Sequence, residues 1–312
     1  MKFKFFIVSF VVFLCSNSLL FSQSYKYYLH PQDKPSLLSQ STINLLDTIQ
    51  RKSFLYFLNE TNASLGLVRD RSADYSPASI AAIGFALPCY AIAAEHGWIT
   101  RQEALIFTRN LLKFLLSSEQ SNAKSATGYK GFYYHFLHMK TGKREWNCEL
   151  STIDTALLFA GIIFARQYFK GNTPEEIELR VLAERIIRRA DWNFFIKTGN
   201  DKYSKSISLG WDPVEGMHPM GWIGYNEALI LYIIAAGSGM NDAEQSYQSW
   251  LNSYDWREPY PGIPLFFRHI PDFAGIVSLL GSCCQKSDSC NSGTGRWNPE
   301  FSHLNPLEVP EF

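Results

Sequence analysis

The chain has 312 residues, 46% hydrophobic and 15% aromatic, and its 29 Lys and Arg balance 29 Asp and Glu. A chain this apolar and weakly charged can bury a core, which excludes wholesale disorder, and zero net charge leaves no long-range field for nucleic acid or an anionic membrane. The length suits one large domain or two small ones, and the 23 Phe, 16 Tyr and 8 Trp serve either a core or a site that stacks flat ligands.

The first 22 residues read as a secretory signal peptide. Lys2 and Lys4 form a positive start, Phe5 to Leu14 is apolar apart from Ser9, and Ser22 offers a cleavage point. The apolar run is shorter than the roughly 20 residues a membrane span needs. The mature protein is therefore expected to be periplasmic or secreted, with no membrane insertion after signal removal. Residues 23–42, with Pro31 and Pro35, read as a linker. Helical periodicity then begins at Leu45, Leu46, Ile49, Phe54, Phe57 and Leu58.

Ser76-Pro77 has the form of an N-cap with proline in the first turn, opening a helix over Ala78–His96 that Pro88 should kink. Thr100 and Glu103 form a capping box before the stripe Leu105, Thr108, Leu111, Leu112 and Leu115. Phe132 to Phe136 favours strand and Thr141-Gly142 a turn, so a short hairpin is expected within 128–144. Helix resumes near Ser151. Thr173-Pro174 starts a charged helix whose expected buried stripe is Ile177, Val181, Leu182, Ile186 and Ile187. Trp211–Gly224 reads as loop, Tyr225–Ala236 as an apolar helix and Asp242–Tyr254 as another.

Roughly seven helices with one hairpin and no strand–helix alternation place the chain in the all-α class. Nearly uncharged helices alternate with charged ones, as two concentric rings would require: an inner ring buried all round and an outer amphipathic one. From Pro264 the helical texture fails, and residues 264–312 read as an atypical tail, the mark of a truncated or frameshifted reading frame. Cys89 and Cys148 fit buried thiols, while Cys283, Cys284 and Cys290 crowd into the tail. Their spacing matches no zinc pattern, and neither metal nor cofactor is implied.

Three stretches place acids and aromatics beside apolar helices: Trp146-Asn147-Cys148-Glu149 leading to Asp154, Trp222 to Glu227, and Arg69-Asp70-Arg71. Glycoside hydrolysis needs two carboxyl groups facing each other across a sugar, one protonated and one ionised, and neighbouring rings would bind the sugar faces. Each stretch has a structural alternative. Ser151-x-x-Asp154 fits a capping pattern, Glu227 suits a helix dipole, and Arg69-Asp70-Arg71 suits an ion-pair network. His135 and His138 should point to opposite faces of a strand, a poor arrangement for a metal.

Gly66–Ser72, Pro77–Phe85, Glu95–Arg101, Tyr129–Phe136, Trp146–Leu158 and Gly224-Tyr225-Asn226-Glu227-Ala228, all in order, resemble the bacterial glycoamylase-like family over about residues 45–260. The endo-β-1,2-glucanases and the cyclising domain of cyclic β-1,2-glucan synthases are its relatives. The resemblance implies an (α/α)6 barrel, spanning 43–263 here and incomplete at its C-terminus, and a carbohydrate-active enzyme without a cofactor. It makes Glu227 and Asp154 the carboxyl pair. Arg69, Asp70, Tyr129, His135, Trp146, Trp211, Trp222, Tyr225 and Asn226 would line the sugar path.

The motif departs from the β-1,2-glucanase pattern in two places. Ser151-Thr152-Ile153-Asp154-Thr155 stands where those enzymes have Asp-Leu-Val-Glu-Thr, and Asn147 stands near a further upstream acid, which leaves Glu149 as a substitute. The expectation is an exported glycoside hydrolase acting on a glucan or oligosaccharide. The alternative is a truncated, catalytically inactive barrel that at most binds glycans. Nothing in the sequence forms a phosphate loop or a basic patch.

Overall fold

The computed structural model describes residues 39–224, 226–253, 257–260 and 263–265. The signal segment, most of the linker, Tyr225 and the tail beyond Leu265 lie outside the described residues. From Thr48 onward the described residues form one compact unit; residues 39–47 fall in a second.

Seven α-helices occur among the described residues: α1 (Gln40–Asn59), α2 (Ile80–Glu95), α3 (Arg101–Ser117), α4 (Thr152–Tyr168), α5 (Pro174–Arg188), α6 (Ala228–Gly237) and α7 (Ala243–Leu251). Their starts follow local chemistry. Thr100 and Glu103 make the reciprocal capping box of α3, and Thr173 caps α5 with Pro174 in its first turn. Ser151 caps α4. The cap of α2 is Ser79 rather than Ser76, because Ala78 and Ser79 stay extended to pair with Leu137 and Phe136. Pro88 lies inside α2, which runs on to Glu95.

The helices pack in two layers. The nearly uncharged α2, α4 and α6 lie side by side, α4 in the middle, and charged α3 and α5 pack on each other outside them. Each inner helix also packs on the helix that follows it. Where α2 meets α4, a Cβ on Gly161 would collide with the Gly84 carbonyl, so only glycine permits this backbone approach. The phase of α5 differs from expectation. Leu179, Leu182, Ala183 and Ile186 are buried, whereas Ile177 and Val181 are 45% and 52% exposed.

The all-α reading needs a correction. Eleven short strands are present among the described residues, and five form an antiparallel sheet in the order β4 (Gly128–Tyr129), β5 (Phe132–Tyr134), β7 (Leu150–Ser151), β8 (Gly210–Asp212) and β9 (Gly216–Met217). The segment expected as loop thus supplies two strands. Lys130 and Gly131, both with positive φ, form the tight turn between β4 and β5. The chain also folds back at Thr141-Gly142, where Leu137 bridges Arg144.

Two other strands, β3 (Ala78–Ser79) and β6 (Phe136–Leu137), pair separately. Strand β3 runs directly into α2 and β7 directly into α4, so the strands lie at the N-terminal ends of inner helices. Beneath the sheet, Phe132 packs against Trp192 and Phe195, with ring centroids 4.8 and 4.4 Å away.

Candidate active site

His135 stands between β5 and β6, where the chain passes from one sheet to the other. Its N–H donates to the Glu149 carbonyl (3.0 Å), and its carbonyl accepts from the Ile80 N–H at the start of α2 (3.1 Å). The imidazole stacks on Phe136 at 3.9 Å with the planes 14° apart. These contacts aim Nδ1 at two carboxyl groups: Glu149 Oε1 lies 2.9 Å away and Asp154 Oδ2 3.7 Å away. Glu149 comes from the residue before β7, and Asp154 from the first turn of α4.

Surroundings push the two carboxyls apart. Asp154 is buried, and this desolvation raises its pKa despite the opposing effects of His135 and Ser151; the Glu149 charge adds to the rise. The cap hydroxyl of Ser151 both accepts from the Asp154 N–H and donates to Asp154 Oδ2. Asp154 is therefore more than a capping acid: its carboxyl accepts a hydrogen bond from a hydroxyl and faces an imidazole. Glu149 is half-exposed. Its partial burial is outweighed by the His135 hydrogen bond, its own backbone N–H and the charges of His135 and His218, which lower its pKa. For His135, burial disfavours the imidazolium, yet the Glu149 hydrogen bond and the charges of Asp154, Glu149 and Asp70 prevail and raise its pKa.

A clamp shapes the neighbouring loop. Trp146 and Asn147 are consecutive non-glycine residues in the left-handed region, with φ of 55° and 51°, a conformation that persists only when its surroundings impose it. Arg144, whose side chain is 3% exposed, donates to the Cys148 carbonyl (2.6 Å) and the Asn147 carbonyl (2.8 Å), pairs with Asp212 and covers the Tyr134 ring. The result is an indole, Trp146, left 50% exposed and tilted against Phe136, with ring centroids 5.3 Å apart. Cys148, behind this loop, exchanges hydrogen bonds with the Phe136 backbone; burial pushes its thiol to about 11. It forms no disulfide with Cys89.

The start of α4 is also tied to the chain before α6. Thr152 Oγ1 donates to the Ser208 carbonyl (2.8 Å) and accepts from Trp222 Nε1 (3.0 Å). Tyr232 of α6 donates to the Trp222 carbonyl (2.8 Å). Glu227 immediately precedes α6, half-buried, and its side chain makes no capping bond. Tyr129 and Trp211 form a separate aromatic pair, 4.9 Å between centroids, beside Phe194.

The expected residues thus divide. Asp70, His135, Glu149 and Asp154 converge electrostatically, Trp146 is presented beside them, and Trp222 anchors the start of α4. Arg69 is consumed by Glu60 and by the carbonyls of Ala73, Asp74 and Ser76, holding its own loop. Asn226 accepts from the Ala228 N–H at the start of α6 and from Trp250 Nε1, an architectural use. Tyr225 lies outside the described residues. Sequence reasoning missed Arg144, Asp212, Thr152 and His218. The Arg144–Asp212 pair spans 68 residues, and His218 sits in a stretch without periodicity.

His135, Glu149 and Asp154 are also the group among the described residues whose ligand atoms, within 4.8 Å of one another, could be offered to a cation. The 2.9 Å Nδ1–Oε1 separation is a hydrogen-bond length, so that nitrogen's valence is already used by a shared proton. His138 stands apart, its Nδ1 accepting from Thr141 N–H (3.2 Å) in a surface turn.

No family model matches the chain. An exo β-1,2-glucooligosaccharide sophorohydrolase (non-reducing end) of Parabacteroides distasonis is 24% identical over 230 residues, 69% of this chain and 30% of that protein. Among solved structures, a protein provisionally named glucoamylase from Bacteroides uniformis aligns with a TM-score of 0.61 at 27% identity, over 75% of this chain and 56% of that one. The endo-β-1,2-glucanase of Chitinophaga pinensis, solved with sophorotriose and glucose, aligns with a TM-score of 0.59 at 20% identity over the same shares. The chain therefore spans less than a third of the curated relative and just over half of the two structures. In sequence and in fold the chain is similar both to proteins provisionally named glucoamylases and to β-1,2-glucan-active hydrolases.

Proposed function

We propose that this chain carries the site of an exported glycoside hydrolase acting on a glucan or oligosaccharide, with β-1,2-linked glucan the first substrate to test, on an (α/α)6 scaffold. One observation carries the reading: the buried Asp154 carboxyl is biased to keep its proton while Glu149 beside it is biased to lose its own. A carboxyl biased to keep its proton is what a general acid requires. The exposed Trp146 supplies an apolar surface for a sugar face. The glucan-active relatives support the same substrate class.

The imidazole of His135 lies within 3.7 Å of both carboxyls, which leaves no room for a glycosidic bond between them. Opposed carboxyls in glycosidases stand roughly 5–9.5 Å apart across the sugar. Asp154 and Glu149 therefore work from one side, and the family resemblance makes Glu227, before α6, the opposing carboxylate. Asp154 donates its proton to the leaving glycosidic oxygen. Glu227 serves the anomeric carbon from the other face.

Release of reducing sugar from β-1,2-, β-1,3- and α-glucans by the purified protein tests this. Asp154→Asn and Glu227→Gln should each lower kcat/KM by about 10²–10⁴-fold. Full activity of Glu227→Gln on every cleaved glucan would overturn the pairing. A second reading rests on the coverage of just over half of the related structures: an inactive barrel that binds glycans. It predicts calorimetric binding of β-1,2-glucooligosaccharides with no sugar release.

A further inference from the structure

We propose that His135 is a positioning residue that couples Glu149 and Asp154 into one proton-sharing unit, its imidazolium acting as counter-ion to the charge that appears on Asp154 once that acid has donated. The coupling rests on geometry alone; the catalytic consequence rests on the hydrolase reading above. Glu149 and Asp154 arrive on different elements, yet both meet the same ring nitrogen, at 2.9 and 3.7 Å. The backbone of His135 is fixed on both sides, its N–H on the Glu149 carbonyl and its carbonyl on the Ile80 N–H, and the ring is stacked on Phe136 at 3.9 Å. A freely rotating histidine would spend entropy to serve two acids; this one is already placed.

The other charged groups acting on the cluster are Asp70, which acts on His135, and His218, which acts on Glu149. Three carboxyls around one imidazole favour its charged form. When Asp154 gives its proton to the glycosidic oxygen, the bond between the anomeric carbon and that oxygen breaks and its electron pair stays on the oxygen. Asp154 is left as a carboxylate beside ionised Glu149. Without a cation between them the two like charges would repel, and the proton would be held back.

Side-chain NMR of the full-length protein, with the His135 signal assigned by its loss in His135→Asn, tests the coupling without requiring activity. The imidazole midpoint is expected to fall in Glu149→Gln and again in Asp154→Asn, since each removes a partner of the charged form. A midpoint unmoved in both variants overturns the proposal. So does displacement of the His135 signal by micromolar Zn2+, which would make the three side chains a cation site.

The kinetic arm uses His135→Asn, which keeps a hydrogen-bond donor near the Nδ1 position and removes the charge. Loss of the imidazolium raises the pKa of Asp154, the proton donor, so the alkaline limb of the kcat/KM profile should move to higher pH, with an about tenfold or greater loss at the optimum. Reduced activity with that limb in place would mean a structural role only and overturn the proposal. If wild-type protein cleaves no glucan while the NMR midpoints remain coupled, the hydrolase reading fails and the coupling stands.

Discussion

Asp154 illustrates how one position can serve architecture and chemistry together. Its backbone N–H is capped by Ser151, which any helix start requires, while its carboxyl is buried against His135 and Glu149. Burial raises its pKa above the ordinary 3.8, so the folded state binds the proton more tightly than the unfolded chain. Stability from this group falls as pH rises from about 3.8 through the folded value. His135, raised above 6.5, contributes stability that is complete below 6.5 and is lost as pH rises through its folded value. Glu149, lowered from 4.5, contributes above 4.5 and loses its contribution as pH falls through its folded value.

Asp154→Asn should accordingly stabilise the protein at pH 8 and leave it unchanged near pH 3, at the cost of activity. Urea denaturation at the two pH values checks this; an equal effect at both would contradict the burial argument. Asp154, Glu149 and Asp70 were legible as acids near aromatics. Their convergence on His135 was not, because the pairing of β5 with β7 that brings them together is a long-range event.

At the scale of elements, the helices were the readable part. Capping boxes and a proline in the first turn act within four residues, so α3, α4 and α5 begin where local chemistry places them. The strands were poorly readable. At two or three residues they carry no alternation, and Gly210–Asp212 becomes β8 only because Leu150 and Ser151 offer it a ladder. The same competition moved the cap of α2 from Ser76 to Ser79. The phase of α5 was decided by which face α3 and α4 cover, leaving Ile177 and Val181 outside a stripe that periodicity alone includes.

The contact of α2 with α4 yields a sharper expectation. Gly161→Ala places a methyl against the Gly84 carbonyl, where neither helix backbone can yield cheaply. The cost should be about 2–3 kcal/mol in chemical denaturation. A cost below about 0.5 kcal/mol would mean that the helices slide apart freely.

For the whole molecule, two layers of helices with short strands at the N-terminal ends of α2 and α4 form a platform that loops can decorate. Glu149 and Asp154 lie at the N-terminal end of α4, and Glu227 immediately precedes α6. A β-1,2-glucooligosaccharide bound to this platform should stabilise the protein by about 2.7 kcal/mol at a hundred times its Kd. Glu227→Gln should retain part of that shift while losing turnover. No ligand-induced rise in Tm with any glucan tested would sink both the enzymatic and the glycan-binding readings.

What the amino-acid sequence determined by itself was local: helix starts, the alternation of uncharged and charged helices, and the motifs that carry the family resemblance. These depend on residues within a few turns of one another. The tertiary structure alone decided which acids meet, which nitrogen they share and how Trp146 is presented. Each of those depends on pairings between distant segments, Arg144 with Asp212 and Tyr133 with Ser151 among them, whose partners no local pattern specifies.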